Sequence, residues 1–182
     1  MANSQNFIVG AASLCLDEVD IGYTTGGVEI AHEPTFLSVE SDQACGTTRI
    51  ARTSEKMMVR TTAQEVLLNQ IRIAMGYAPE NFDESNNRKL WLGGECNACD
   101  GLEEVELVVK GPGPNCDCRT FVFDRAVSVG QTSLSFQRDQ EMQMPMEFEI
   151  LKADDHGYFG FVEDGCTFQD TQACDGTPVS PY

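Results

Sequence analysis

Apolar and polar residues alternate at period two along most of this chain, the pattern of strands that bury one face. Val28-Glu29-Ile30-Ala31-His32 and Phe36-Leu37-Ser38-Val39-Glu40-Ser41-Asp42 predict two such strands. Upstream, Leu14, Leu16 and Val19 are inward candidates of an extended segment over residues 13–20, and Gly22, Gly26 and Gly27 punctuate the turn after it. Glycine suits that turn because it reaches positive φ without steric cost. Further strands are predicted at 89–92 with the single Trp91, and at 105–110, 120–129, 134–137, 144–153 and 158–162. In the stretch 144–153, Met146, Phe148 and Ile150 alternate with Glu147 and Glu149.

Residues 47–53 and 56–61 read as two arms of a hairpin about Ser54-Glu55. The stretch is rich in Arg and Thr and offers few residues to a core, so a projecting hairpin over 41–62 is expected. The competing reading is a solvated edge hairpin whose charges prevent aggregation. The period then changes. Thr62-Ala63-Gln64-Glu65 has capping-box spacing, Val66, Leu67, Ile71, Ala74 and Met75 recur at helical spacing, and Gly76 supplies a stop. One helix is predicted there, with Gln64, Asn69 and Arg72 off its apolar stripe.

Many short strands, one helix and no βαβ alternation predict a mainly β fold. Two packed antiparallel sheets are expected, as a β-sandwich or flattened barrel with one flanking α-helix, in a single domain over residues 1–182. Residues 1–12 read as an N-terminal arm, 93–119 as a cysteine-bearing insertion, and 165–182 as a loose C-terminal tail.

Composition changes this picture in one respect. Hydrophobic residues at 41% and charged residues at 23% are ordinary for a globular protein, but 29 acidic against 12 basic residues leave a net charge of −17. Arg49, Arg52, Lys56, Arg60 and Arg72 crowd into one stretch, so the remainder is more acidic still. Such a surface repels nucleic acid and anionic membranes unless its charges are segregated; solubility is the simpler use of it. Residues 1–10 lack the basic start and apolar run of a signal peptide, and no apolar run approaches the ~20 residues of a membrane helix. Cytosolic synthesis is therefore expected, where disulfides are disfavoured.

No nucleophile elbow, phosphate-binding loop or zinc-protease motif is present, and the histidines are His32 and His156 alone. Asp154-Asp155-His156-Gly157 has the composition of a turn. The chain is not expected to be an enzyme. The cysteines carry more chemistry. Cys96-Asn-Ala-Cys99 and Cys116-Asp-Cys118 are two close pairs that a strand-sized stretch could bring together around zinc or an iron–sulfur cluster. Disulfides and unlinked thiols are the alternatives. Cys15 and Cys45 read as isolated core or loop residues, and Cys166 and Cys174 as a pair in the tail.

The stretch D-I-G-Y-T-T-G-G-V-E-I-A-H-E-P-T-F-L-S-V-E-S-D-Q, followed by the basic ribbon and the helix, resembles the tail tube proteins of long-tailed bacteriophages. The resemblance covers residues 20–76 and, less closely, 145–164; residues 93–119 depart from it. It implies the tail tube fold and rings of six copies that stack into the conduit through which DNA leaves the capsid. By the same resemblance, Arg49, Arg52, Lys56 and Arg60 would meet acidic surface on the next ring, and Glu147 and Glu149 would face a lumen that gives DNA nothing to hold. The implied partners are further copies, tail terminator, distal tail and tape measure proteins, and DNA in transit, with no membrane. The implied location is the virion tail after assembly in the host cytoplasm. A single-ring tip or connector protein, and a non-viral metal-binding module, are the other readings.

Overall fold

The computed structural model describes residues 12–17, 19–41, 46–83, 89–93, 102–113, 117–135, 138–139, 141–153 and 157–167. Its main sheet begins with β1 (Ser13–Leu16) and β2 (Val19–Asp20) and continues through β3 (Thr24–Ser41) and β4 (Gly46–Ala63). The helix α1 (Leu68–Ala74), a 3-10 turn at Pro79–Asn81 and the small strands β5 (Phe82–Asp83) and β6 (Lys89–Leu90) follow. The chain then returns to the sheet as β7 (Glu104–Pro112), β8 (Asp117–Ser128), β9 (Met144–Ile150) and β10 (Phe161–Thr167).

The fold is mainly β, with one α-helix among the described residues. The predicted pair of packed sheets is instead one eight-stranded antiparallel sheet, ordered β2-β1-β7-β8-β9-β4-β3 with β10 on β8, beside the two-stranded sheet β5-β6. β8 divides one edge between two partners: residues 117–122 pair with β10 and 126–128 with β9. This sheet is rolled. β2 and β3 stand at opposite ends of its order, yet only residues 21–23 join them. Four residue steps reach about 14 Å, whereas six interstrand spacings laid flat span about 29 Å. The sheet therefore curls on itself, and the chain link between its two ends buries Ile21 completely.

The inward face follows the alternation. On β9, Met144, Met146, Phe148 and Ile150 are buried against Leu14, Leu107 and Phe123, while Glu147 and Glu149 point the other way. Several segments read separately are continuous. The stretches 28–32 and 36–42 belong to β3, and 47–53 and 56–61 to β4, with no turn at Ser54-Glu55. β3 and β4 pair with each other from Thr24↔Ala63 to Ser41↔Gly46. β7 runs through Gly111 to Pro112, and β10 runs past Gly165 with an irregularity between Asp164 and Cys166. Leu134 and Ser135 lie outside any strand.

The helix is shorter than predicted and turned on its axis. Thr62 and Ala63 remain in β4, paired to Pro145 and Met144 of β9, so two sheet partners outcompete the capping box at Thr62. α1 begins six residues later, where the Gln70 amide oxygen accepts the Leu67 N–H at 3.0 Å. Its buried residues are Gln70, Arg72, Ile73 and Ala74, whereas Leu67 is exposed. Arg72 stays satisfied by donating to Asn69 Oδ1 and the Tyr77 carbonyl, each at 2.9 Å, with Glu103 3.8 Å away. Gly76 ends the helix at φ 68°, as predicted.

Candidate assembly surface

β4 is an interior strand only over Met57–Ala63, where β9 covers its second edge; the last such pair is Met57↔Ile150. Beyond it, β3 and β4 continue alone from Glu33↔Lys56 to Ser41↔Gly46. At the usual strand rise this is a two-stranded ribbon roughly 25–30 Å long. Such a ribbon is marginally stable in water by itself. Cross-strand register places Phe36 with Arg52 and Ser38 with Ile50 on one face, and Leu37 with Ala51 and Val39 with Arg49 on the other. Phe36 is 58% exposed, Leu37 56% and Ile50 64%, so both faces present apolar side chains to water.

Charge also separates the ribbon from the body. Residues 33–56 hold four acidic residues, Glu33, Glu40, Asp42 and Glu55, and three basic ones, Arg49, Arg52 and Lys56, so nearly all of the −17 resides elsewhere. The four basic residues predicted to reach a neighbour do not behave alike. Arg60 Nε donates to Glu147 at 2.8 Å, Lys56 meets Glu149 at 2.8 Å, and Arg52 meets Glu55 at 2.8 Å. Among the described residues only Arg49 of the four makes no ion pair, and it lies on the ribbon. Lys56 and Arg60 sit within or beside the sheet. Their basicity is raised chiefly by the hydrogen bonds to Glu149 and Glu147, which hold the cations in place.

Glu147 and Glu149 share the outward face of the sheet with Lys56, Arg60, Glu29 and Glu33, because Glu29↔Arg60↔Glu147 and Glu33↔Lys56 are register neighbours. Among these six residues, carboxylates outnumber cations by two. Met58, only 3% exposed, lies beneath them on the same face. A shallow cleft of about 360 Å³ opens alongside, lined by Thr25, Gly26, Gly27, Glu29, Arg60 and Glu147 among others.

The cysteine reading changes. Cys118 and Cys15 are both disulfide-bonded, and both are buried. A disulfide sulfur is no thiolate, so Cys118 offers no ligand to an ion in this state. Cys15 is likewise no isolated core thiol. Cys96, Cys99, Cys116, Cys45, Cys174 and His156 lie outside the described residues, as does the Cys166 side chain. Among the described residues no group of three or more His, Cys, Asp or Glu is placed to hold a metal ion. Nor is any helix there long and apolar enough to cross a membrane.

Sequence reasoning missed two features of this surface. Phe36 and Val39 read as part of a strand that buries one face, because alternation reveals a face but not whether anything covers it. Glu55 looks like a turn residue, yet it accepts Lys152 at 2.7 Å and Arg52 at 2.8 Å, with His32 at 3.5 Å. The only signal for the ribbon was its Arg and Thr content without an inward apolar row. No family model matches this chain, and no curated protein matches it in sequence.

Proposed function

We propose that this chain is a virion structural protein whose copies form hexameric rings that stack into the tail tube of a long-tailed bacteriophage. The observation that carries the reading is the β3–β4 ribbon, an arm with exposed apolar side chains on both faces. Exposed apolar surface of this kind marks a site of association. The occupant is a second copy of this chain. Bodies carrying −17 repel one another, and a nearly neutral arm bearing Arg49, which makes no ion pair among the described residues, is the part that approaches an acidic body at least electrostatic cost.

The sequence resemblance over residues 20–76 supports the same assignment, as does a mainly β body with one helix among the described residues. In this reading the outward face of Glu29, Glu33, Glu147 and Glu149 borders the lumen, and its excess of two carboxylates keeps DNA from binding during passage. The ends of the tube meet terminator, distal tail and tape measure proteins. Disulfides at Cys15 and Cys118 suit a particle that leaves the reducing cytosol.

Electron microscopy of the purified protein across a concentration series tests the proposal. Stacked six-fold rings or tubes are expected, and Phe36→Ser/Ile50→Ser is expected to leave single subunits or isolated rings. Wild-type rings that never stack would move the protein to a tail tip or connector. Tubes formed equally well by the double variant would sink the role of the ribbon. Deleting 47–61 is a poor probe, because Met57, Val59 and Thr61 belong to the body and face its core.

A further inference from the structure

We infer that Glu55 is a latch that sets the direction of the ribbon on the body, by joining the root of β4 to the segment just after β9. Glu55 lies on the same face of β4 as Met57 and Val59, just past the point where the core ends at Ile150. Three elements converge on its carboxylate. Lys152 Nζ donates from the segment after β9 at 2.7 Å, Arg52 from the ribbon at 2.8 Å, and His32 stands at 3.5 Å on β3. The Glu55 side chain is 18% exposed, the least of these partners. Its pKa is lowered, first by the Lys152 hydrogen bond, in keeping with a carboxylate held ionised by its neighbours.

Both ends of the latch are anchored. On the body side, the Lys152 ammonium sits 5.1 Å from the centre of the Phe159 ring. The Lys152 carbonyl accepts from Arg125 at 3.3 Å, and Arg125 in turn grips Glu104 of β7 with two bonds of 2.6 and 2.9 Å. On the ribbon side, the register passes from Thr35↔Ser54 to Phe36↔Arg52, leaving Thr53 as an extra residue. A bulge bends and twists a strand pair at one point. Thr53 Oγ1 donates to the Thr35 carbonyl at 3.2 Å, and the Arg52–Glu55 pair spans the bulge. The bend and the body are thus tied through one carboxylate.

The latch gives purpose to the ribbon only if the assembly reading holds, so its test is made on the dilute, unassembled protein. Spin-labelled noncanonical residues at Thr47 and Glu163 report the ribbon-to-body distance by pulsed electron resonance, leaving the cysteines untouched. The wild type is expected to give one narrow distribution. Glu55→Gln and Lys152→Met are each expected to broaden it about two-fold or more, as release of a hinge does. Lys56→Met, which removes an ion pair of the same length on the opposite face, should leave it unchanged. Narrow wild-type distributions retained in both Glu55→Gln and Lys152→Met would overturn the latch, as would equal broadening in Lys56→Met. Either result stands apart from whether the protein forms tubes.

Discussion

β3 and β4 are each one strand with two fates, and the boundary falls at Met57. Below it, Val59 and Ala63 are fully buried against Phe148 and Met144. Above it, Phe36 and Ile50 are as apolar as their counterparts yet stand more than half exposed. Apolar residues recur at strand spacing in both halves of β3, while β4 thins to Ile50 and Ala51 in the ribbon. What differs is whether β9 and the rest of the rolled sheet lie over it. Apolar residues in the body stabilise the fold, whereas those in the ribbon contribute little to it and remain available to a partner.

The comparison can be broken most strongly from the body side. Phe148→Ala should cost about 3–5 kcal/mol, the usual loss for a fully buried phenylalanine, read as a lower urea midpoint. Reducing the disulfides of Cys15 and Cys118 should cost about 2–4 kcal/mol, read as a lower melting temperature with a strong reductant. An unchanged melting temperature would mean that the bridges constrain nothing in the body. Phe36→Ser/Ile50→Ser in the ribbon should change stability by no more than about 0.5 kcal/mol, as surface replacements do. A loss approaching that of Phe148→Ala would erase the distinction between the two regions.

The smallest effect concerns acid. Glu55, Glu104 and Asp164 have lowered pKa values, chiefly through hydrogen bonds from Lys152, Arg125 and Arg119 respectively. Their contribution is complete above the ordinary carboxylate range near ~4 and is lost as pH falls through their lower folded values. Glu103 runs the other way. Burial raises its pKa against the pull of Arg72, so its contribution is complete in acid and is lost as pH rises through that raised value. Urea titrations between pH 6 and 2 should therefore show a net decline toward acid, and Glu55→Gln should make the decline shallower. A steeper decline in that variant would contradict the assignment.

Much of this architecture is readable in the residues. Alternation at 28–32, 105–110, 120–129 and 144–150 identifies strands and their inward faces because period two is a local property. Gly76 marks the helix end because its left-handed backbone is local too. Helix onset does not fall at Thr62, despite its capping-box spacing, because Thr62 and Ala63 stay in β4 paired to Pro145 and Met144 of β9. Arg72 lies off the predicted apolar stripe yet is buried, because its partners, Asn69, the Tyr77 carbonyl and Glu103, come together only around the folded helix.

The sequence by itself determined a mainly β chain, the apolar rows of β7, β8 and β9, a helix ending at Gly76, and a strongly acidic composition with a basic stretch. Tertiary structure alone decided that one sheet rolls upon itself, because three residues bridge its two ends. It alone decided which half of the β3–β4 hairpin is covered and which projects, and that Glu55 is a junction rather than a turn. Those outcomes depend on partners distant in sequence, such as Ile150 and Lys152, and no local period encodes them.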